Sequence, residues 1–385
     1  MTSPDLSTDA AAAALAGIGR EPDIDVRDAH ARVWWSVLAE PGDGAAGDLV
    51  SRFGAEDALR IALSDADDEW SSARARWMPR ADPGSIRHAL DTARRAGATL
   101  LIPSDSRWPH RLDDLGAHTP HVLWVRGDLE WLEASPTVAI VGARAATPYG
   151  EAVAADLAAE LAASGVIVVS GAAYGIDGAA HRAALTTDGR TVAFLAGGVD
   201  RAYPRGHEAL LSRIAASGAV ISETPCGAAP TKWRFLSRNR LIAALADAVV
   251  IVEAGHRSGS LNTAAHAAQL GRALGAVPGP VTSAASAGSH RVLREFDGVC
   301  VTSAADVREM LGDAVTHGRQ EGTRTDDTTR LLDALSARVG RDTEDVARRA
   351  GFAYADAQAL LGLAELEGRV ARGADGLWRS ARRSE

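Results

Sequence analysis

A short basic segment with aromatic neighbours is the part of this sequence best suited to binding an anion. Residues 232 to 240 contain no acidic residue, and they carry Lys232, Trp233, Arg234, Phe235, Arg238, Asn239 and Arg240. The whole chain of 385 residues has a formal net charge of -9, so the segment is a local reversal of charge. Cations among aromatic side chains are typical of a groove that follows phosphates and stacks unpaired bases. The alternative for Trp233 and Phe235 is that they anchor a hydrophobic core.

A second anion-binding feature follows an apolar run in the same stretch, which spans residues 226 to 265. The run 248–252 is predicted to be a buried strand, and Ser258, Gly259 and Ser260 open the next predicted helix. The first N–H groups of a helix lack partners inside it, and the helix dipole favours negative charge there. A strand, a turn of small residues and a helix N-terminus together predict a site for a phosphate.

Arginines follow two further predicted strands. Arg144 ends the sequence Val-Gly-Ala-Arg, and Arg205 follows a Tyr-Pro pair. A cation stands where a dinucleotide fold would place a glycine, so the first site is not the Gly-x-Gly-x-x-Gly fingerprint. An arginine at this position suits the phosphate of a polymer or of a nucleotide equally well. The alternative is a surface arginine paired with a nearby carboxylate.

The loop after the second predicted strand is rich in glycine. We expect Gly171 and Gly175 to let backbone approach a ligand closely. Asp177 and His181 lie four residues apart, on one helical face, which suggests catalysis or metal binding. Because no third ligand or nucleophile lies near them in the sequence, we favour Asp177 as a helix cap and His181 as a hydrogen-bonded structural residue.

Motifs of the common enzyme classes are missing from the sequence. It contains no Gly-x-Ser-x-Gly elbow, no Walker loop, no His-Glu-x-x-His and no paired Cys-x-x-Cys. We therefore predict a binding protein with no catalytic residue, no metal and no cofactor.

Strands and helices alternate regularly through the middle of the chain. Strands are predicted at 138–141, 166–170, 191–195, 219–222, 248–252 and 274–277. Helices are predicted at 149–163, 177–185, 207–216, 236–246 and 261–270. Short, continuously apolar strands separated by helices predict an α/β fold with a doubly wound, Rossmann-like parallel sheet. Such sheets bind ligands at the carboxyl ends of their strands.

The flanking regions have different patterns. Residues 1–90 are predicted to be a helical module of the SAM or helix-hairpin type, with a loose segment over the first 25 residues. The Rossmann-like domain is predicted over 91–316, with short strands near its start, and a polar linker over 317–329. Residues 330–385 read as helix, helix, helix and wing, the order of a winged helix. Its predicted recognition helix, 354–367, contains no Lys or Arg.

Composition limits the location and the class of the protein. The sequence is 46% hydrophobic and 24% charged, which is typical of a globular protein, and no apolar run is long enough to cross a membrane. It contains two cysteines, Cys226 and Cys300, too few for a disulfide framework. These features predict a cytoplasmic protein without membrane contact. The net negative charge argues against coating nucleic acid with the whole surface, but it allows a local basic groove.

Seven sequence blocks between residues 137 and 279 together resemble the DNA-processing protein A (DprA, also called Smf) family. In order they are GARAATPYG, SGAAYGIDGAAH, YPRGH, SETPCG, FLSRNRLIAAL, VEAGHRSGSLNTA and GRALGAVPG. Blocks in a fixed order are far more specific than any single glycine-rich loop. The helical module and the winged helix are also similar to the accessory domains of the family.

The resemblance implies a mediator of recombination without enzymatic activity. Such a protein binds incoming single-stranded DNA during natural transformation, protects it and loads the RecA recombinase. The phosphate-binding positions of the family fall on Arg144, Arg205 and Lys232. Two positions depart from the family pattern: Ala196 begins the sequence Ala-Gly-Gly where Gly-x-Gly is usual, and His207 replaces an asparagine. Neither change removes a cation.

The alternative function is an enzyme of a related Rossmann-like group. The chain would then be similar to the lysine-decarboxylase-like phosphoribohydrolases, which cleave nucleoside monophosphates with a glutamate in the sequence Pro-Gly-Gly-x-Gly-Thr-x-x-Glu. At the corresponding turn this chain has no carboxylate between residues 254 and 273.

An apolar stripe after the sixth strand is the candidate for self-association. The segment 288–296 contains His290, Leu293 and Phe296, with Val292 completing the helical spacing. Taken alone, the stripe would be expected to cover the core of its own subunit. The resemblance implies instead a homodimer formed near this point, close to the surface that engages RecA.

Overall fold

The computed structural model describes residues 5–64, 66, 68–312 and 327–381. The chain divides into two compact units between residues 314 and 315. The predicted boundary near residue 90 lies within the first unit and stays a prediction. No helix among the described residues is long and apolar enough to cross a membrane.

The N-terminal part is helical. Its helices are α1 (Thr8–Leu15), α2 (Val26–Leu38), α3 (Gly44–Ala62), α4 (Ser71–Trp77) and α5 (Pro83–Ala96). The expectation of a loose segment over residues 1–25 is wrong for the described part of it. Leu6, Leu15 and Ile18 are buried in the core of this module, and the Ser7 side chain caps α1. An alanine-rich helix with few large residues has no clear periodicity, so its burial was not evident from the pattern.

A sheet of nine strands forms the centre of the first unit. The strands are β1 (Thr99–Leu101), β2 (Leu123–Gly127), β3 (Thr137–Val141), β4 (Ile167–Ser170), β5 (Thr191–Phe194), β6 (Ala219–Ser222), β7 (Ala248–Ile251), β8 (Ala273–Ala276) and β9 (Val299–Cys300). Their order is β1-β2-β6-β5-β4-β3-β7-β8-β9. Strands β3 to β9 pair in parallel, while β1 and β2 add antiparallel pairs at one edge.

Helices cover both faces of this sheet. They are α6 (Pro148–Ala163), α7 (Ile176–Thr186), α8 (Glu208–Ser217), α9 (Lys232–Leu245), α10 (Ser260–Gln269), α11 (Ala287–Glu295) and α12 (Ala304–Met310). Along β3, Val138 and Ile140 join one hydrophobic cluster, whereas Ala139 and Val141 join the cluster on the other face. Burial on both faces explains the continuous apolar strands, and the predicted doubly wound α/β class is confirmed.

The second unit has the predicted winged-helix order. Its described elements are α13 (Asp327–Asp333), α14 (Thr343–Ala350), α15 (Tyr354–Leu366), β10 (Val370–Arg372) and β11 (Trp378–Ser380). Strands β10 and β11 pair antiparallel as the wing. The predicted linker over 317–329 lies mostly outside the described residues, and its last three residues begin α13.

Candidate nucleic-acid interface

The connections of the sheet reverse direction at β3. From β3 the chain continues to β4 on one side, whereas β7 lies on the other side and leads outward to β8. The loops that follow β3 and β7 therefore diverge and leave a crevice at the carboxyl ends of the strands. This is the position at which open α/β sheets bind their ligands.

A cavity of about 490 Å³ occupies this crevice, and we call it the switch-point cavity. The loop after β3, the loop after β7 and the first half of α9 line it. The predicted site residues among its lining are Arg144, Arg238, Asn239, Ser258, Gly259 and Ser260. Residues from three separate sequence blocks thus meet at the topological switch point.

Arg144 lies on the rim of the cavity with its charge available. The loop that carries it is held by buried Glu253, whose backbone oxygen accepts from Ala143 N at 2.7 Å and whose carboxylate accepts from Thr147 N at 2.7 Å. The guanidinium of Arg144 lies over the Phe235 ring, 4.4 Å from its centroid. It has no ion pair with any carboxylate in the described part of the chain. The alternative of a paired surface arginine is therefore not what the structure has.

Arg238 forms the floor of the cavity. It is only 6% exposed, and its Nη1 donates to Phe194 O at 2.5 Å. Its Nε has no partner among the described residues. Burial lowers the pKa of Arg238 to about 10, with Asp177 opposing the shift. The side chain is still a cation near neutral pH, with an unused donor beside the cavity.

The glycines of the second loop serve contacts within the protein. A side chain at Gly171 would meet Arg238, since an added Cβ would lie 2.1 Å from Nη1. Gly175 has a φ of 73°, and an added Cβ would lie 2.3 Å from Ala143 O. Both glycines are needed to pack the loop against Arg238 and against the loop after β3, and their approach to a ligand stays a prediction.

Asp177 and His181 are buried structural residues. Asp177 lies in the first turn of α7, whose N-cap is Gly175, so its predicted place as the N-cap is wrong. Its carboxylate accepts from Gly171 N at 3.1 Å, and burial raises its pKa above the ordinary value. His181 Nδ1 lies 2.7 Å from Thr191 Oγ1, and burial lowers the pKa of this histidine to about 3. The predicted hydrogen-bonded histidine is therefore present.

The N-terminus of α10 faces the cavity. Gly259 is its N-cap, and Ser258 and Ser260 share a hydrogen bond of 2.7 Å between their hydroxyl groups. Asn239 Nδ2 donates to Gly259 O at 3.2 Å, so α9 positions this turn. Backbone N–H groups, two hydroxyls and Arg144 around one cavity form an arrangement that can hold a phosphate.

Two of the predicted DNA-binding arginines are engaged inside the protein. Arg240 is 5% exposed and forms two hydrogen bonds of 2.8 Å with Glu223, while its Nη2 also donates to His118 O at 2.7 Å. Arg234 donates from Nε and Nη2 to both oxygens of Glu40, each at 3.0 Å. Their fork geometry is already used by carboxylates, so we leave both out of the proposed phosphate contacts.

Lys232 and Arg205 lie outside the lining of the cavity. Both are exposed, and neither has a hydrogen bond or ion pair from its side chain among the described residues. Lys232 begins α9, and Arg205 belongs to a 3₁₀ turn that follows Pro204. Tyr203 of the same loop contacts Phe235, with ring centroids 5.3 Å apart. The two cations can therefore extend a phosphate path beyond the cavity.

Sequence reasoning missed Arg257 as a site residue. It is exposed and lines the switch-point cavity directly before the Ser-Gly-Ser turn. The signal available in the sequence was its position, directly before the Ser-Gly-Ser turn that opens a predicted helix. Phe235, for which a core role was an open alternative, lies in the cavity wall between Arg144 and Tyr203.

The residues predicted for a dimer lie on and just after α11. Leu293 and Phe296 are partly buried against the core of their own subunit. His290 Nε2 lies 2.9 Å from Gly279 O. The stripe thus covers its own core in part and remains partly accessible, and the dimer stays a prediction.

Acidic side chains are few in the described lining of the cavity. Its lining includes one carboxylate, Asp177, which is bonded to backbone amides. Within the described ranges, no group of three His, Cys, Asp or Glu side chains could hold a metal ion.

Comparison with known proteins gives the same family for both units. Residues 99–312 match the family model of DNA recombination-mediator protein A, and residues 316–376 match that of the DprA winged helix domain. A putative DNA processing protein DprA of Mycobacterium tuberculosis is 46% identical over 311 residues, which cover 76% of this chain and 79% of that protein. DprA of Bacillus subtilis is 35% identical over 226 residues, covering 59% of this chain and 75% of that protein.

Solved structures with the same fold include two members of that family. The X-ray structure of DprA from Streptococcus pneumoniae superposes with a TM-score of 0.60 at 29% identity, covering 72% of this chain and 95% of that one. DprA from Helicobacter pylori, described for its unique single-stranded DNA binding mode, superposes with a TM-score of 0.51 at 30% identity and covers 56% and 97%.

Proposed function

Because this chain belongs to the DNA recombination-mediator protein A (DprA) family, we propose that it binds single-stranded DNA at the switch-point cavity and acts as a recombination mediator. The observation that carries the proposal is the meeting of Arg144, Arg257 and the N-terminus of α10 around one cavity. The relative from Helicobacter pylori, whose structure concerns single-stranded DNA binding, supports the choice of ligand.

The charge distribution supports a single strand rather than a duplex. The protein is acidic overall, yet Arg144 and Arg257 lie in one crevice without a carboxylate partner among the described residues. The same crevice presents Phe235 and Tyr203, which can meet unpaired bases but cannot reach bases stacked inside a duplex. The proposed contacts are Arg144, Arg238, Asn239, Arg257 and the turn 258–260, with Arg205 and Lys232 extending the path.

The recombination role is the further part of the proposal. We infer that the bound strand is incoming DNA during natural transformation, and that the protein protects it and loads the RecA recombinase. Such a protein would work in the cytoplasm. A homodimer through α11, using His290, Leu293 and Phe296, would join two cavities into a longer path for one strand.

We propose binding without catalysis. A phosphoribohydrolase would need a carboxylate free to act on the glycosidic bond. The carboxylate of Asp177, in the cavity lining, instead accepts hydrogen bonds from Gly171 N and Ala173 N. Incubation with nucleoside monophosphates should release no free base, and release of base would favour the enzyme.

The direct test is a fluorescence-anisotropy titration with single-stranded and double-stranded oligonucleotides at several salt concentrations. We expect preference for the single strand, little dependence on sequence, and a fall of log affinity with log salt of roughly 0.7 per phosphate contacted. Equal affinity for duplex, or affinity that does not change with salt, would overturn the proposal.

A further inference from the structure

A second cavity adjoins the switch-point cavity along α9. It has a volume of about 440 Å³, and Leu236 lines both cavities. Helices α9 and α10 form much of its wall, and Pro41 and Gly42 of the N-terminal module close part of it. We call it the α9–α10 cavity. A strand held by its phosphate at the first cavity would therefore have this second space within reach of a neighbouring nucleotide.

Trp233 stands at the mouth of the α9–α10 cavity with most of its surface in water. It is 62% exposed, and its indole has no aromatic partner among the described residues. It also lines a third cavity of about 420 Å³, beside Arg76 and Arg80. Because so little of this indole packs against the protein, it contributes little to the stability of the fold. Its flat apolar surface is available to a ligand.

The polar groups of the α9–α10 cavity are nearly neutral as a set. The charge of Arg240 is matched by Glu223, and that of Asp114 by Arg272 at 2.6 Å. Burial lowers the pKa of His266, so its imidazole is neutral at pH 7. The remaining polar lining includes the amides of Asn262 and Gln269. Among the described residues that line this cavity, a phosphate would find no free cation.

The other walls of the α9–α10 cavity are apolar. Leu236 and Leu270 line the cavity together with the exposed Trp233. An uncharged planar ring with donors and acceptors on its edge matches this combination, because its faces need apolar contacts and its edge needs amides or imidazole. The lining is thus suited to a nucleobase rather than to phosphate.

We propose that the α9–α10 cavity binds a base of the same single strand whose phosphate occupies the switch-point cavity, with the base stacked on Trp233. The inference rests on the proposed function, and it adds a base subsite to the phosphate site. Because Pro41 and Gly42 close the cavity, the N-terminal module is part of the DNA site as well as a packing partner of the sheet.

The test separates stacking from phosphate contact by using two probes. One is an oligothymidylate, and the other is a strand of equal length in which every nucleotide is abasic. Trp233→Ala should weaken binding of oligothymidylate by roughly five- to 100-fold, the range expected when stacking of one base is lost. It should leave the affinity for the abasic strand and the salt dependence unchanged, since no phosphate contact is removed. Trp233→Phe should restore most of the lost affinity.

The outcomes distinguish this inference from the proposed function. If the parent protein binds neither probe, the proposed function fails. If the parent binds oligothymidylate and Trp233→Ala binds it equally well, the base subsite is wrong. Equal weakening toward both probes would also overturn it, because that result indicates a general change of the groove. The exposure of Trp233 makes unfolding of the variant unexpected, and unchanged circular dichroism with an unchanged melting temperature verifies this.

Discussion

Two regions of the first unit use the same residue type for opposite purposes. At the switch-point cavity, Arg144 and Arg257 point to an open space and have no carboxylate partner among the described residues. At the junction of α9 with the N-terminal helices, Arg234 and Arg240 are held by Glu40 and Glu223. Both regions contribute to the apparent basic character of the sequence. Only the first leaves charge available to a ligand, because a guanidinium bound bidentately by a carboxylate has little left to offer a phosphate.

The largest effect on stability should come from removing the ion pair between Arg240 and Glu223. Glu223→Gln removes the charge that Arg240 needs inside the protein. A buried ion pair that loses one partner leaves an uncompensated charge, which costs about 3–5 kcal/mol of the free energy of unfolding. Urea unfolding of the first unit measures this. Affinity for single-stranded DNA should not fall under conditions where the variant is folded. A loss of affinity without a loss of stability would reverse the roles we give the two regions.

Removing a cation from the switch-point cavity should weaken DNA binding and leave stability nearly unchanged. Arg144→Ala should weaken single-strand binding by about 10- to 100-fold at low salt, since hydrogen bonds to charged groups contribute about 1.5–3 kcal/mol. The salt dependence should flatten by roughly 0.7 if one phosphate contact is lost. The free energy of unfolding should change by less than about 0.5 kcal/mol, as for most surface substitutions. Anisotropy titrations and urea unfolding of the same preparation test both halves.

The contribution of buried His181, which lies beneath the cavity, to the stability of the protein should depend on pH. The pKa of His181 is about 3 in the folded protein against an ordinary value of 6.5. A histidine that stays neutral when folded binds its proton only on unfolding, so it lowers stability as pH falls below about 6.5. Between pH 7 and 5 the loss is about 2 kcal/mol, because the slope approaches about 1.4 kcal/mol per pH unit below the ordinary pKa.

His181→Gln should remove that part of the acid sensitivity. Urea unfolding at pH 7 and pH 5 gives the change for the parent and for the variant. The change should be smaller in the variant by about the same 2 kcal/mol. An identical acid response in both proteins would indicate that His181 is not a buried neutral residue.

The smallest effect on DNA affinity should come from Lys232, at the end of the proposed phosphate path. Lys232→Ala should weaken single-strand binding by up to about fivefold, in keeping with the 0.2–1 kcal/mol of an exposed charge pair. Arg379→Ala in the wing is the matched control, because that arginine is paired with Asp375 and should not contact the strand. If both variants lose affinity equally, the path is not confined to the first unit.

The elements of the sheet were predictable because their signal is local. Each strand of the predicted set lies within one residue of its observed ends, since a buried parallel strand is continuously apolar. Helix α9 begins at Lys232, four residues before its predicted start at Leu236, because the Thr231 side chain accepts from Arg234 N and caps it. The basic residues therefore occupy the first turns of a helix, whose register decides which of them face the cavity.

The pairing of the cations was not predictable from the sequence. Arg234 and Glu40 are 194 residues apart, and nothing in either local pattern indicates the contact. The same holds for Arg238, whose burial depends on Gly171 in another loop. Cations that share one segment could be assigned as a group, but which of them is free depends on tertiary contacts between distant parts of the chain.

Deleting the N-terminal module would change the charge beside the proposed DNA path, because the module contains Glu40. Its carboxylate pairs with Arg80 of the N-terminal module and with Arg234 of α9. A fragment that starts after the module would lack this acid and release a guanidinium beside the DNA path. The unpaired guanidinium would attract polyanions, while the loss of Pro41 and Gly42 would remove part of the wall of the α9–α10 cavity and weaken base binding. A gain of affinity on deleting the module would then be caused by the unpaired arginine. It would not show that the module inhibits DNA binding.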